Sequence, residues 1–161
     1  MTGAGKRMRE RSDERRGFMG MLAVCVASLA WRPVAQAQSA PVARVADLGE
    51  PWSSVEFSFA AVEPVPGILI RLPDGTLYAA SRICTHQACT MVYNKNAKEV
   101  SDSYDVQVAN PALTCPCHLS VFDPAKGGKV VGGPAPRPPQ RFRIRVSGGN
   151  IFVDGLDAAG S

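Results

Sequence analysis

The 161-residue chain is poor in the residues that usually mark a function. It has two histidines, two tryptophans and three tyrosines. It lacks a long apolar run. The longest, Phe18 to Trp31, is poor in leucine and falls short of the roughly 20 residues a spanning helix needs. It also lacks positive charge over most of its length. Residues 1–37 hold seven of the eighteen Lys/Arg and three of the fourteen Asp/Glu, which leaves eleven of each beyond them. The formal +4 therefore belongs to the N-terminal stretch, and the neutral remainder offers no basic stripe for nucleic acid. No methionine box for copper exists, because only Met91 lies beyond the N-terminal stretch. No internal repeat is visible, and no stretch after Trp31 keeps a helical period.

What is present begins with a leader. A charged segment ends in Arg15-Arg16, Phe18 follows two places on, and Ala35-Gln36-Ala37 closes the apolar run in the small-residue form that signal peptidase accepts. The pair Arg15-Arg16 resembles a twin-arginine export signal. The expectation is that residues 1–37 are a cleaved signal or a retained anchor, and that the rest faces the periplasmic side of a bacterial inner membrane. About 124 residues then remain, enough for one domain with one modest core.

That remainder reads as β. VEFSF at 55–59 alternates, and GILIRL at 67–72 and TLYAAS at 76–81 flank the turn signal Pro73-Asp74-Gly75. RFRIRV at 141–146 places Phe142, Ile144 and Val146 on one side and Arg141, Arg143 and Arg145 on the other, a solvated charged face. Ser147-Gly148-Gly149-Asn150 then turns the chain into IFVDG. Thirteen prolines and fifteen glycines break the rest into loops, and the polar stretch 93–107 reads as an exposed excursion.

The chemistry lies in two short clusters, CTHQAC at 84–89 and CPCHLS at 115–120. They hold both histidines and every cysteine beyond Cys25 of the leader. In an oxidising compartment some of these cysteines can pair while others hold a metal. Two thiolates and two imidazoles suit tetrahedral zinc, and a disulfide-only domain is also open at this level.

The spacing Cys84-x-His86 with Cys115-x-x-His118 resembles the two boxes of a Rieske iron–sulfur protein. Within that family it is similar to the iron–sulfur subunits of cytochrome bc-type complexes and the small subunit of arsenite oxidase. The resemblance implies an all-β, antiparallel sandwich-like fold with a small cluster-binding subdomain. It implies one [2Fe–2S] cluster held by Cys84, His86, Cys115 and His118, with two thiolates on one iron and two imidazoles on the other. It implies a Cys89–Cys117 disulfide stapling the two loops, and a Ser120 hydroxyl bonded to a bridging sulfide. Gly133-Pro134-Ala135-Pro136 matches the family's proline-rich lid. The expected divisions are a leader at 1–37, a linker and first strand at 38–65, the Rieske domain at 66–155 and a tail at 156–161.

Three departures stand out. The gap between His86 and Cys115 is longer than usual, and the polar excursion accounts for it; that excursion is expected beside the cluster tip. Leu119 replaces the bc-type glycine after the box-two histidine. Phe122 replaces a tyrosine whose hydroxyl bonds a ligand sulfur in the bc-type pattern. The last points to a potential below that of quinol-oxidising relatives and above that of ring-hydroxylase ferredoxins. By resemblance the chain is a one-electron, proton-coupled carrier subunit, or a stand-alone periplasmic carrier, rather than a self-sufficient enzyme, with His118 meeting quinol or a partner. The partner is a cytochrome b-like or molybdopterin-type subunit, and the acceptor a c-type cytochrome or similar carrier. Membrane association stays open.

Overall fold

A computed structural model describes residues 40–157. The expected leader lies outside the described residues. Among the described residues, no helix is long and apolar enough to cross a membrane.

Among the described residues, ten strands and one α-helix follow in order: β1 (Ala43–Arg44), β2 (Ser54–Phe59), β3 (Val65–Arg71), β4 (Leu77–Ser81), β5 (Val92–Asn94), α1 (Ala97–Tyr104), β6 (Ala112–Thr114), β7 (Val121–Asp123), β8 (Lys129–Gly132), β9 (Phe142–Ser147) and β10 (Asn150–Leu156). They form three antiparallel sheets, ordered β1-β10-β9, β2-β3-β4 and β5-β6-β7-β8. The segment expected as linker and first strand thus supplies two strands, one of them closing onto β10 through Ala43↔Ile151.

The β2-β3-β4 sheet is the middle layer, and its sequence says why. Successive side chains of a strand point to opposite faces, yet Gly67, Ile68, Leu69 and Ile70 are all buried. Leu69 and Ala79 pack with Phe142, Ile151 and Val153 of the β9–β10 hairpin. On the other face, Ile68, Ile70, Tyr78 and Ala80 pack with Cys84, Met91, Leu113, Cys115, Phe122 and Ala135. A strand with apolar groups on both faces joins two cores, and the second contains both free cysteines.

The turns are those the sequence foreshadows. Asp74 accepts hydrogen bonds from the Thr76 backbone N–H and hydroxyl, and Gly75 takes φ +84° between β3 and β4. Gly148 and Gly149, both at positive φ, make the two-residue β9–β10 turn. The charged face of β9 is exposed at Arg143 and Arg145, as expected, and needs correction at Arg141. Arg141 lies 4.3 Å over the Tyr78 ring and donates to the Ala79 carbonyl. Arg143 donates to the Leu156 carbonyl, and Arg145 pairs with Asp154. Arg141 is half-buried, while Val146 on the expected inner side is 52% exposed. The strand outruns the core at that end, so the alternation loses its meaning there.

The excursion also differs from expectation, because it contains α1. Asn96 caps the helix, its side chain accepting from the Glu99 N–H, and Lys98 pairs with Asp102 one turn on. Val100 is buried against Ala112 and Val121, with Tyr104, Val106, Val108 and Val131 around it. Leu113, Phe122 and Val130 belong to the core that holds the cysteines. The excursion therefore covers the outer face of the β5–β8 sheet, where Ala112, Val121 and Val131 would otherwise meet water.

Candidate metal centre

The two cysteine–histidine clusters fold into the same loop twice. In the first, the Cys84 N–H donates to the Cys89 carbonyl and the Ala88 N–H to the Cys84 carbonyl, at 2.8 and 3.0 Å. In the second, the Cys115 N–H donates to the Ser120 carbonyl and the Leu119 N–H to the Cys115 carbonyl, again at 2.8 and 3.0 Å. The pairs Ile83↔Thr90 and Thr114↔Val121 close the loops at matching offsets. Ala88 and Leu119, at equivalent places, both take the left-handed conformation, with φ +56° and +59°. This duplication was invisible in the sequence, where only Cys84 and Cys115 coincide.

Neither left-handed residue is glycine. An L side chain there costs about 1–2 kcal/mol, while glycine at an exposed site costs the unfolded chain about 0.4–1 kcal/mol of entropy. Leu119 is 50% exposed, so truncating it leaves no cavity. Leu119→Gly should therefore raise stability by about 0.5–1 kcal/mol in urea titration. A loss of stability would mean that the side chain makes a contact worth more than the strain.

The structure brings the expected site residues together in pairs. Cys84 and Cys115 are free, buried and in one core. The His86 and His118 rings face each other edge-on, with centroids 4.7 Å apart and planes at 86°. His86 is half-buried and His118 exposed. Cys89 and Cys117 are joined in a disulfide across the two loops. The sulfurs of Cys89, Cys115 and Cys117 lie within 4.8 Å of one another. Two of those three are spent in the disulfide, so that trio is not a ligand set.

The lid is latched to both loops. Ala135, buried with the two cysteines, donates its N–H to the Ser120 hydroxyl oxygen at 3.1 Å. Thr85 of the first loop donates its hydroxyl to the Arg137 carbonyl at 2.6 Å. Ser120 is fully buried, and accepting from Ala135 leaves its own proton free to donate inward. Arg82, just ahead of the first loop, donates to the Met91 carbonyl and pairs with Glu56, tying the loop base to β2.

These groups fit an iron–sulfur cluster. His86 Nδ1 is buried with no hydrogen-bond partner. A buried polar atom left alone costs about 1–3 kcal/mol, and a metal ion in front of it removes that cost. Burial pushes the Cys84 thiol upward, while the backbone N–H groups of His86 and Gln87 reaching its sulfur pull the other way. An anionic sulfur there needs a cation beside it. Two thiols and two imidazoles on latched loops could hold such a cluster in mixed ligation. A single zinc ion would leave the Ser120–Ala135 latch unexplained.

A β protein with these two latched cysteine–histidine loops falls among the iron–sulfur proteins. Residues 38–147 match the Rieske [2Fe–2S] domain, and the chain belongs to that family, whose domain binds one [2Fe–2S] cluster. It is 29% identical over 79 residues to the cytochrome b6-f complex iron–sulfur subunit of Chlorobaculum tepidum, covering 49% of this chain and 35% of that one. It is 39% identical over 75 residues to a Rieske subunit assigned to a respiratory nitrate reductase of Haloferax mediterranei, covering 47% and 28%. The chain thus spans about a third of the length of the curated relatives it matches. Among solved structures, the plasma membrane Rieske protein of Synechocystis PCC 6803 superposes with a TM-score of 0.52 at 26% identity, covering 73% of this chain and all of that one.

Proposed function

We propose that this chain is the one-electron carrier subunit of a respiratory oxidoreductase of the quinol–cytochrome c reductase type, held on the periplasmic side of the inner membrane by its twin-arginine leader or released there after cleavage. The observation that carries the reading is the exposed His118 imidazole at the end of a loop whose neighbouring thiol, Cys115, is buried. In the bound state the [2Fe–2S] cluster supplies a one-electron couple with imidazole-raised potential. Cys84, His86, Cys115 and His118 are its ligands in this reading. His118, exposed at the loop tip, would keep one ring nitrogen available to a partner as a hydrogen-bond or proton acceptor. Ser120 donates inward, and the latched lid keeps water from the sulfurs.

A cytochrome b-like subunit is the partner this reading calls for, with quinol as donor and a c-type cytochrome as acceptor. The likeness to a nitrate reductase subunit favours a second reading, a carrier subunit of a molybdopterin-type oxidoreductase such as arsenite oxidase. Electron paramagnetic resonance of the dithionite-reduced protein tests the shared part. A rhombic signal of mixed-ligand [2Fe–2S] supports it, and stoichiometric zinc without iron refutes it. Redox titration of that signal then separates the two, since quinol oxidation requires the higher potential.

Phe122 bears on that potential. It is fully buried in the core that holds Cys84 and Cys115. Phe122→Tyr would add a hydroxyl to that core, and hydrogen bonds to sulfur stabilise the more negative reduced state. With a net bond of about 1 kcal/mol favouring that state, the midpoint should rise by roughly 40 mV. An unchanged or lower midpoint would show that the hydroxyl does not reach a ligand sulfur.

A further inference from the structure

The sulfurs of Cys89, Cys115 and Cys117 are not a ligand set, yet they form a reactive arrangement. A free cysteine sulfur lies within 4.8 Å of both ends of a disulfide. Cys115 is 1% exposed, so soluble thiols do not reach it. The other free cysteine, Cys84, is hydrogen-bonded to Cys115 as well. Two thiols cannot join without an oxidant, whereas a thiol and a disulfide can exchange without one.

The two ends of the disulfide differ. Cys89 is half-buried and packs against the core that contains Cys115. Cys117 is exposed and is not part of that core. Only Pro116, whose ring fixes φ, separates it from Cys115. Attack on Cys89 therefore comes from a packed neighbour and expels a sulfur that water can solvate. Attack on Cys117 would close a tight ring through a proline and leave the expelled sulfur half-buried.

We propose that in a chain that has not yet received its cluster, Cys115 displaces Cys117 and turns the Cys89–Cys117 staple into Cys89–Cys115. The Cys115 sulfur gives its proton to water and bonds the Cys89 sulfur. The Cys89–Cys117 bond breaks with its electron pair on Cys117, which takes up a proton. One disulfide exists before and after, so no oxidant or reductant is consumed. The new bond still joins the two loops, so the fold stays stapled. It withdraws Cys115 from the four residues given to the cluster, and it leaves Cys117 as an exposed, modifiable thiol beside His118. A cluster that already holds Cys115 prevents the step. Loading and exchange thus compete for one sulfur, and a chain loaded late closes its own site. The exchange stands without the carrier reading; its meaning for loading rests on that reading's ligand set.

The test follows the pairing itself. Full-length protein is stripped with an iron chelator under anaerobic conditions and quenched in acid at intervals. Free thiols are labelled with N-ethylmaleimide, the disulfides are reduced and labelled with its deuterated form, and fragment mass spectra locate each label. The starting pairing puts the first label on Cys84 and Cys115. Exchange should move it from Cys115 to Cys117, with Cys84 unchanged, over minutes to hours. Cys115→Ser should keep the first label off Cys117, and so should the holoprotein while its resonance signal persists. Exchanged protein should take up roughly tenfold less iron than freshly stripped protein. First labels that stay on Cys84 and Cys115 overturn the proposal, because no exchange has occurred. The deuterated label on Cys84, or the first label on Cys117 in Cys115→Ser, overturns it too, because another thiol is then the attacker. A parent protein that never binds iron would refute the ligand reading instead, and the label map would still decide the exchange.

Discussion

Gly133→Ala should lower the melting temperature by roughly 10 °C and shorten the life of the cluster's visible absorbance. Gly133 sits at φ +79°, where the second loop meets the lid. A Cβ there would lie 2.5 Å from the Leu119 carbonyl oxygen, 2.5 Å from the Ser120 Cα and 2.7 Å from the Ser120 nitrogen. All three are backbone atoms, so no rotamer change can make room. The left-handed conformation costs alanine about 1–2 kcal/mol, and forcing an extra carbon into packed structure costs about 1–3 kcal/mol more. The cheapest relief is for the lid to lift. That breaks the bond from the Ala135 N–H to the Ser120 hydroxyl and opens the core holding Cys84 and Cys115. Gly148→Ala is the control. Gly148 also has positive φ, +56°, but nothing lies within 4 Å of its would-be Cβ. It should cost only the conformational part and leave the absorbance decay unchanged. Equal effects of the two substitutions would show that the lid contact is not what makes Gly133 necessary.

The contrast between these two glycines mirrors what the sequence could reveal. Gly148 and Gly149 were readable as a hairpin turn because the signal is local, two glycines between alternating strands. The boxes were readable for the same reason: their ligand chemistry is written within six residues. The requirement for Gly133 was not, because it arises from a backbone fourteen residues earlier. The likeness of the two loops escaped notice because it is a hydrogen-bond pattern, carried at Ala88 and Leu119 by residues that seldom take positive φ. The middle-layer role of β3 was half visible. Its unbroken GILI run signals burial on both faces, but not which sheets cover it. Helix α1 was missed although its start was present in Asn96 and Glu99, since eight residues are too few to show a period. The fate of Arg141 turned on Tyr78, far away in sequence, and no local pattern carries that.

Replacing both staple cysteines, Cys89→Ala with Cys117→Ala, should cost the cluster-free protein about 3–4 kcal/mol in anaerobic urea titration. The disulfide closes a loop of 28 residues, and the entropy that such a cross-link removes from the unfolded chain corresponds to about that figure. In the cluster-loaded protein the equilibrium cost should be much smaller. There the ligands from both loops already share one rigid group, so the chain is closed between nearly the same points, and a second cross-link removes little further freedom. The kinetic effect should run the other way. With the disulfide intact, the first loop cannot swing from the second, and the lid latches at Thr85 and Ser120 act on a fixed pair. Without it, the lid's hold on the loops rests on those two hydrogen bonds, each worth about 1 kcal/mol. Cluster loss to a chelator should then speed up severalfold, with the resonance line shape unchanged before loss begins. Because Cys117 is exposed, a mild reductant should reproduce the faster loss in the parent protein. A loaded variant that unfolds as easily as the unloaded one would show that the cluster does not cross-link the loops. Its ligands would then have to be sought within a single loop, and the pairing of Cys84 and His86 with Cys115 and His118 would have to be abandoned.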